Sequence, residues 1–85
     1  MNLDQFNAQP LEERLASIFL FGTFLATRFQ AAERKVNLYE LPGLFFVEVA
    51  YHIPQNKLIG LLSFGWENVD RLETYARFVK LPEDL

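Results

Sequence analysis

Cysteine is missing altogether from this chain of 85 residues, which excludes a disulfide framework and every thiolate zinc site. Histidine occurs once, as His52, and the acids are scattered without loop spacing, so no metal ligand set is expected. Charge is scarce as well: 22% of the residues carry one, and 8 basic against 11 acidic side chains leave a net charge of −3. That balance offers no basic footprint for nucleic acid. The four glycines, Gly22, Gly43, Gly60 and Gly65, form neither a GxGxxG fingerprint nor a phosphate loop. The longest uncharged run, Leu15 to Thr27, spans 13 residues, whereas a membrane-crossing helix needs roughly 18 to 20 apolar ones. The residues ahead of it set Asp4, Glu12 and Glu13 against Arg14 alone, unlike the positive start of a signal peptide. The expectation is a cytoplasmic protein without a cofactor.

What the chain does have is apolar surface. Hydrophobic residues make up 51% of it, and nine side chains are Phe. A chain this apolar can bury enough area to offset its ordering entropy, so disorder is excluded. No repeat, low-complexity tract or linker divides it. Residues 1–85 are therefore expected to form one domain, with 1–9 as either an extra helical turn or an N-terminal arm.

Pro10 opens a helix, since proline suits the first helical position and Glu12 and Glu13 then sit near the positive helix end. Leu11, Leu15, Ile18 and Phe19 recur at helical spacing as one apolar stripe, and Gly22 is a natural stop. The last turn, Ile18-Phe19-Leu20-Phe21, is apolar all round, which predicts that more than one neighbour encloses it. From Thr23 the pattern changes to short segments rich in β-branched and aromatic residues, separated by turn signals. Four strands are predicted: Thr23–Gln30, Lys35–Leu41, Leu44–His52 and Lys57–Phe64. In Leu41-Pro42-Gly43-Leu44, proline presets φ and glycine accepts a positive φ, the signature of a tight antiparallel turn. A second helix follows from about Glu67 to Val79. Val69, Leu72 and Ala76 line its inner face with Tyr75 at the edge, while Asp70, Arg71 and Glu73 lie outside. The fold predicted is α+β: a four-stranded antiparallel meander in two layers, with both helices on one face.

Pairing Leu41 with Leu44 across the turn puts Val36, Leu38, Phe45, Val47, Val49 and Tyr51 on one apolar face, under the helices. The opposite, open face then carries Phe24, Ala26, Arg28, Asn37, Tyr39, Leu41, Leu44, Phe46 and Glu48. For the fourth strand a four-residue loop is preferred because it buries Phe64, and Ile59 and Leu61 then join the open face. A three-residue loop reverses that choice, since a one-residue slip exchanges the faces. An open face holding Phe24, Tyr39, Leu41 and Phe46 exceeds what soluble monomers ordinarily expose. A second copy of the chain or a protein partner is the expected cover, with Phe24, Leu41 and Leu44 at the interface; the alternative is that the N-terminal arm folds across the face with Leu3 and Phe6.

Across that face, Arg28 opposite Asn37 and Asn37 opposite Glu48 make a polar row. Such a row orients a sheet through a cross-strand ion pair, or lends an Arg fork to a small anionic ligand. Tyr39 and Phe46 are candidate stacking residues for single-stranded nucleic acid, but too few cations surround them. His52 has no nucleophile beside it in sequence and reads as a turn residue. No enzymatic constellation is present, so a non-enzymatic interaction module is expected. The strings Gly22-Thr23-Phe24-Leu25-Ala26-Thr27-Arg28, Val36-Asn37-Leu38-Tyr39, Phe45-Phe46-Val47-Glu48-Val49 and Ser63-Phe64 resemble those of short uncharacterised bacterial proteins. That resemblance implies a helix–meander–helix body over about residues 11 to 82. It brings no activity and no catalytic residue.

Overall fold

The structure, a computed structural model, describes residues 1–75. The chain runs α1 (Leu3–Ala8), α2 (Leu11–Phe21), β1 (Thr23–Ala31), β2 (Arg34–Leu41), β3 (Phe45–His52), β4 (Lys57–Gly65) and α3 (Val69–Glu73). The four strands form one antiparallel sheet in the order β1-β2-β3-β4, so the α+β class and the meander are those expected. The expected run of the last helix through Ala76 to Val79 lies outside the described residues.

Local chemistry accounts for the helices. Residues 2–8 form a helical turn rather than an extended arm. Asn2 and Gln5 close a capping box, each side chain meeting the other's backbone N–H at 2.8 Å, which satisfies two otherwise unpaired donors. Pro10 caps α2 from one position ahead of the helix, and Glu12 and Glu13 occupy its first turn. Only Ser17 and Ile18 of α2 are buried. Leu11 and Phe19, expected in the buried stripe, are exposed.

The hairpin between β2 and β3 holds the main departure from the expected arrangement. Leu41 pairs with Phe45, not Leu44, so the loop contains three residues, with Gly43 at φ +105° and Leu44 at φ +62°. A leucine in the left-handed region is uncommon because its Cβ crowds the backbone, and nothing in its side chain announces the extra loop residue. The consequence is a register one residue away from the predicted one, with Leu38 opposite Glu48 and Asn37 opposite Val49. Every partner across this hairpin therefore changes face.

Two cores result, one on each side of the sheet. Leu41, Phe45, Val47 and Val49 pack with Phe6 of α1 and Ile18 of α2, joined by Tyr39, Tyr51, Leu58 and Leu61. Ala26, Leu38, Phe46 and Phe64 pack on the other side with Tyr75, joined by Leu25 and by Leu72 of α3. The helices thus divide between the faces, where the sequence reading put both on one. Val36 and Leu38 do not share a face with Val47 and Val49, because they pair with Ala50 and Glu48, which point to the opposite side of β3 from those valines.

The fourth strand satisfies both of its candidate registers in turn. Next to the four-residue loop, His52 meets Lys57 and Tyr51 meets Leu58. A bulge at Ile59 then shifts the pairing, so Val49 meets Leu61 and Phe46 meets Phe64. Leu61 accordingly packs against the core beneath α1 and α2 instead of facing outward. Bulges of this kind insert one unpaired residue and redirect everything beyond it.

Candidate functional site

The polar row survives in part, and in a different place. Arg28 faces Val36 across β1 and β2, while Asn37 faces Thr27. Asn37 therefore lies on the α1/α2 side, where its Oδ1 accepts the Thr27 hydroxyl at 2.6 Å. Arg28 and Glu48 do share a face, the one beneath α3. Arg28 Nη2 approaches Glu48 Oε2 at 3.3 Å, and Arg71 Nη1 donates to Glu48 Oε1 at 2.6 Å. The Tyr75 hydroxyl donates to the same carboxylate. Glu48 is 4% exposed, and a buried carboxylate is tolerated only with such partners.

Rings and cations interleave around this carboxylate. The Arg28 guanidinium stands 5.3 Å from the centroid of the Tyr75 ring, and that of Arg71 is 5.8 Å from the Phe64 ring. Burial pushes the Tyr75 phenol well above its ordinary pKa, and its hydrogen bond to the Glu48 carboxylate adds to the shift. For Arg28, burial opposes the charge, but the interactions with Tyr75 and Glu48 outweigh it and its pKa is raised. The arrangement does one thing well. It pins the segment Arg71–Tyr75 onto the sheet through the Glu48 carboxylate of β3, reached by Arg28 from β1 and by Arg71 and Tyr75 from the segment itself.

Helical periodicity puts Arg71 on the outer face of the last helix and Tyr75 at its edge. Their spacing of four places them on one helical side, and an internal Glu on a central strand needed donors from somewhere. Those two signals together point to the pair. Val69, expected inside, is exposed.

The other predicted residues separate. Phe46, read as part of an open face, is 2% exposed and stacks on Phe64 at 5.5 Å between centroids. Leu41 is buried under α1 and α2. Tyr39 is half-buried on that same side, so it and Phe46 lie on opposite faces and form no joint stacking platform. Phe24 meets the Tyr39 ring edge-on at 5.7 Å and remains exposed, and Leu44 projects from the hairpin loop. His52 ends β3, half-buried, with Nδ1 unpaired among the described residues. Among the described residues no three His, Cys, Asp or Glu side chains come together around a metal-sized space.

A second feature is apolar. Phe19 is 83% exposed, Leu20 74% and Phe29 69%, and Phe21 and Phe24 are both more than half exposed. These residues belong to the last turn of α2 and to β1, joined through Gly22 alone. Phe21 and Thr23 also line a shallow hollow with Glu40, Leu41, Pro42, Gly43 and Leu44. Among the described residues, the turn expected to be enclosed on several sides is thus covered only at Ile18. No known protein family, curated protein or solved structure matches the chain.

Proposed function

We propose that the chain is a small cytoplasmic interaction module, not an enzyme, that self-associates or takes a protein partner through the apolar surface of α2 and β1. The observation that carries this reading is the exposure of Phe19, Leu20, Phe24 and Phe29 on two directly joined elements. Covering one large apolar side chain contributes roughly 1.5 to 3 kcal/mol, and soluble monomers rarely leave such groups clustered in water. Neither face of the sheet is the docking surface in this reading, because helices occupy part of each. An anionic ligand at Arg28 is disfavoured, since Glu48 and Tyr75 already engage that guanidinium.

Sedimentation at several loadings tests the proposal. The unmodified chain should show a mass above that of one copy, or a shift on adding a partner. Phe24→Glu should reduce association while leaving the far-ultraviolet circular dichroism unchanged. A single-copy mass at every loading, together with no partner recovered from the native host, would count against it.

A further inference from the structure

β1 and β4 are the outer strands of the sheet, and an outer strand presents unpaired N–H and C=O groups to any strand that can reach them. The two edges are not alike. α1 packs along β4, and the Ser63 hydroxyl of β4 donates to Asn7 of α1. Among the described residues β1 finds its main contacts in β2 alone, while α2 packs on β2. The nine residues Thr23–Ala31 contain no Lys, Pro, Asp or Glu, and their one charge, Arg28, is engaged by Glu48, so no free charge or proline blunts this edge. Bulges at Leu25 and Gln30 twist the ends of β1, but Ala26–Phe29 stays regular between them.

The chemistry of this edge selects its occupant. A chain of net charge −3 repels its own copy except where no acid stands, and β1 with the end of α2 is such a place. A lipid surface fits poorly, because a helix lying on a membrane wants Lys and Arg on its polar side, whereas α2 offers Glu12 and Glu13 beside Arg14. An antiparallel strand edge is complementary to itself under two-fold rotation. Opposed residues must share a face, so the axis passes through a residue. Centring on Arg28 sets two guanidiniums opposite each other, which is destabilising. Centring on Thr27 sets threonine against threonine and places Arg28 beside the partner's Ala26.

We infer that two copies of the chain join β1 to β1 antiparallel about a two-fold axis at Thr27, fusing two four-stranded meanders into one continuous sheet. Phe24 and Phe29 share the α1/α2 side of β1, since they face Tyr39 and Lys35 there. The pairing brings Phe29 of each copy toward the partner's Phe24. This rests on the interaction-module reading above and names its partner as the chain itself.

The absence of cysteine makes a direct test available. Opposed residues of an antiparallel pair have Cβ atoms about 4.5 to 5.5 Å apart, within reach of a disulfide after small adjustment. Thr27→Cys should form a covalent dimer on mild oxidation, and Leu62→Cys on the opposite outer strand should remain a single chain under the same conditions. Adding Phe29→Lys to Thr27→Cys should abolish the cross-link while circular dichroism still reports the folded sheet. A dimeric mass with no cross-link at Thr27, or with equal cross-linking at Leu62, overturns the β1 pairing and leaves the interaction-module reading standing. A single-copy mass for the unmodified chain, with no partner from the native host, overturns both.

Discussion

Arg71 reaches across from α3 to place Nη1 2.6 Å from Oε1 of Glu48 in the middle of β3. The contact ties the last described segment of the chain to the sheet. It also fixes what each member of the cluster contributes. Arg28 and Tyr75 satisfy Oε2, Arg71 satisfies Oε1, and the carboxylate has no exposed oxygen to spare.

Removing the carboxylate should therefore cost more than removing any one donor. Glu48→Ala takes the shared acceptor from Arg28 and from the Tyr75 hydroxyl, while Arg71, about a third exposed, can turn to water. The loss should exceed the roughly 1.5 to 3 kcal/mol of one hydrogen bond to a charged group. Tyr75→Phe loses one hydrogen bond to a charged group, and a loss of roughly 1.5 to 3 kcal/mol is expected. Urea unfolding of the two variants checks the order. Equal midpoints for Tyr75→Phe and the parent chain would show that the phenol contributes packing only.

Tyr75 also predicts how the fold responds to alkali. Its pKa is raised in the folded chain, first by burial and then by Glu48, so the folded state holds its proton more tightly than the unfolded state. The stabilisation is complete below the unfolded tyrosine value of about 10. It declines as pH rises from there toward the folded value. Tyr51, raised by burial and by Tyr39, acts in the same direction. Stability measured by urea across this range should fall with pH, and Tyr75→Phe should flatten the fall without removing the share due to Tyr51. A slope unchanged by Tyr75→Phe would contradict the assignment.

The β2–β3 hairpin makes opposite predictions at neighbouring positions. A Cβ on Gly43 would lie 2.2 Å from the Met1 carbonyl oxygen, and its φ is +105°. Gly43→Ala should destabilise by at least about 1 kcal/mol. Gly60→Ala, with nothing within 4 Å of the added carbon, should change little. Leu44 is exposed and left-handed at φ +62°, so Leu44→Gly should raise the thermal midpoint by relieving a strain of roughly 1 to 2 kcal/mol. A lowered midpoint would mean that the leucine side chain is covered in solution.

Strand limits were legible because Pro42-Gly43, Ile53-Pro54 and the charged Glu33-Arg34 pair punctuate runs of β-forming residues. The predicted strand ends fall within one residue of those observed. Register was not legible. It depends on whether the Pro-Gly loop holds two residues or three, and on bulges at Gln30 and Ile59, and none of these has a residue signature here. Two single-residue slips, one in each hairpin flanking β2, separated Asn37 from the polar row. For Arg28 and Glu48 the slips cancel, so the pair that was expected to share a face does share one. Arg71 and Tyr75 stayed out of view because helix periodicity sorts residues by polarity, and it cannot foresee a carboxylate waiting inside. The uncovered end of α2 was readable as a turn without a polar side, although its intended neighbour was not.

Gly22 is the only residue between Phe21 at the end of α2 and Thr23 at the start of β1. A normal connector of several residues takes up slack, and here there is none. Helix and strand behave as two arms on a single pin, so whatever grips the strand also sets the tilt of the helix. Ile18, one turn before that pivot, is where the helix is seated in the core.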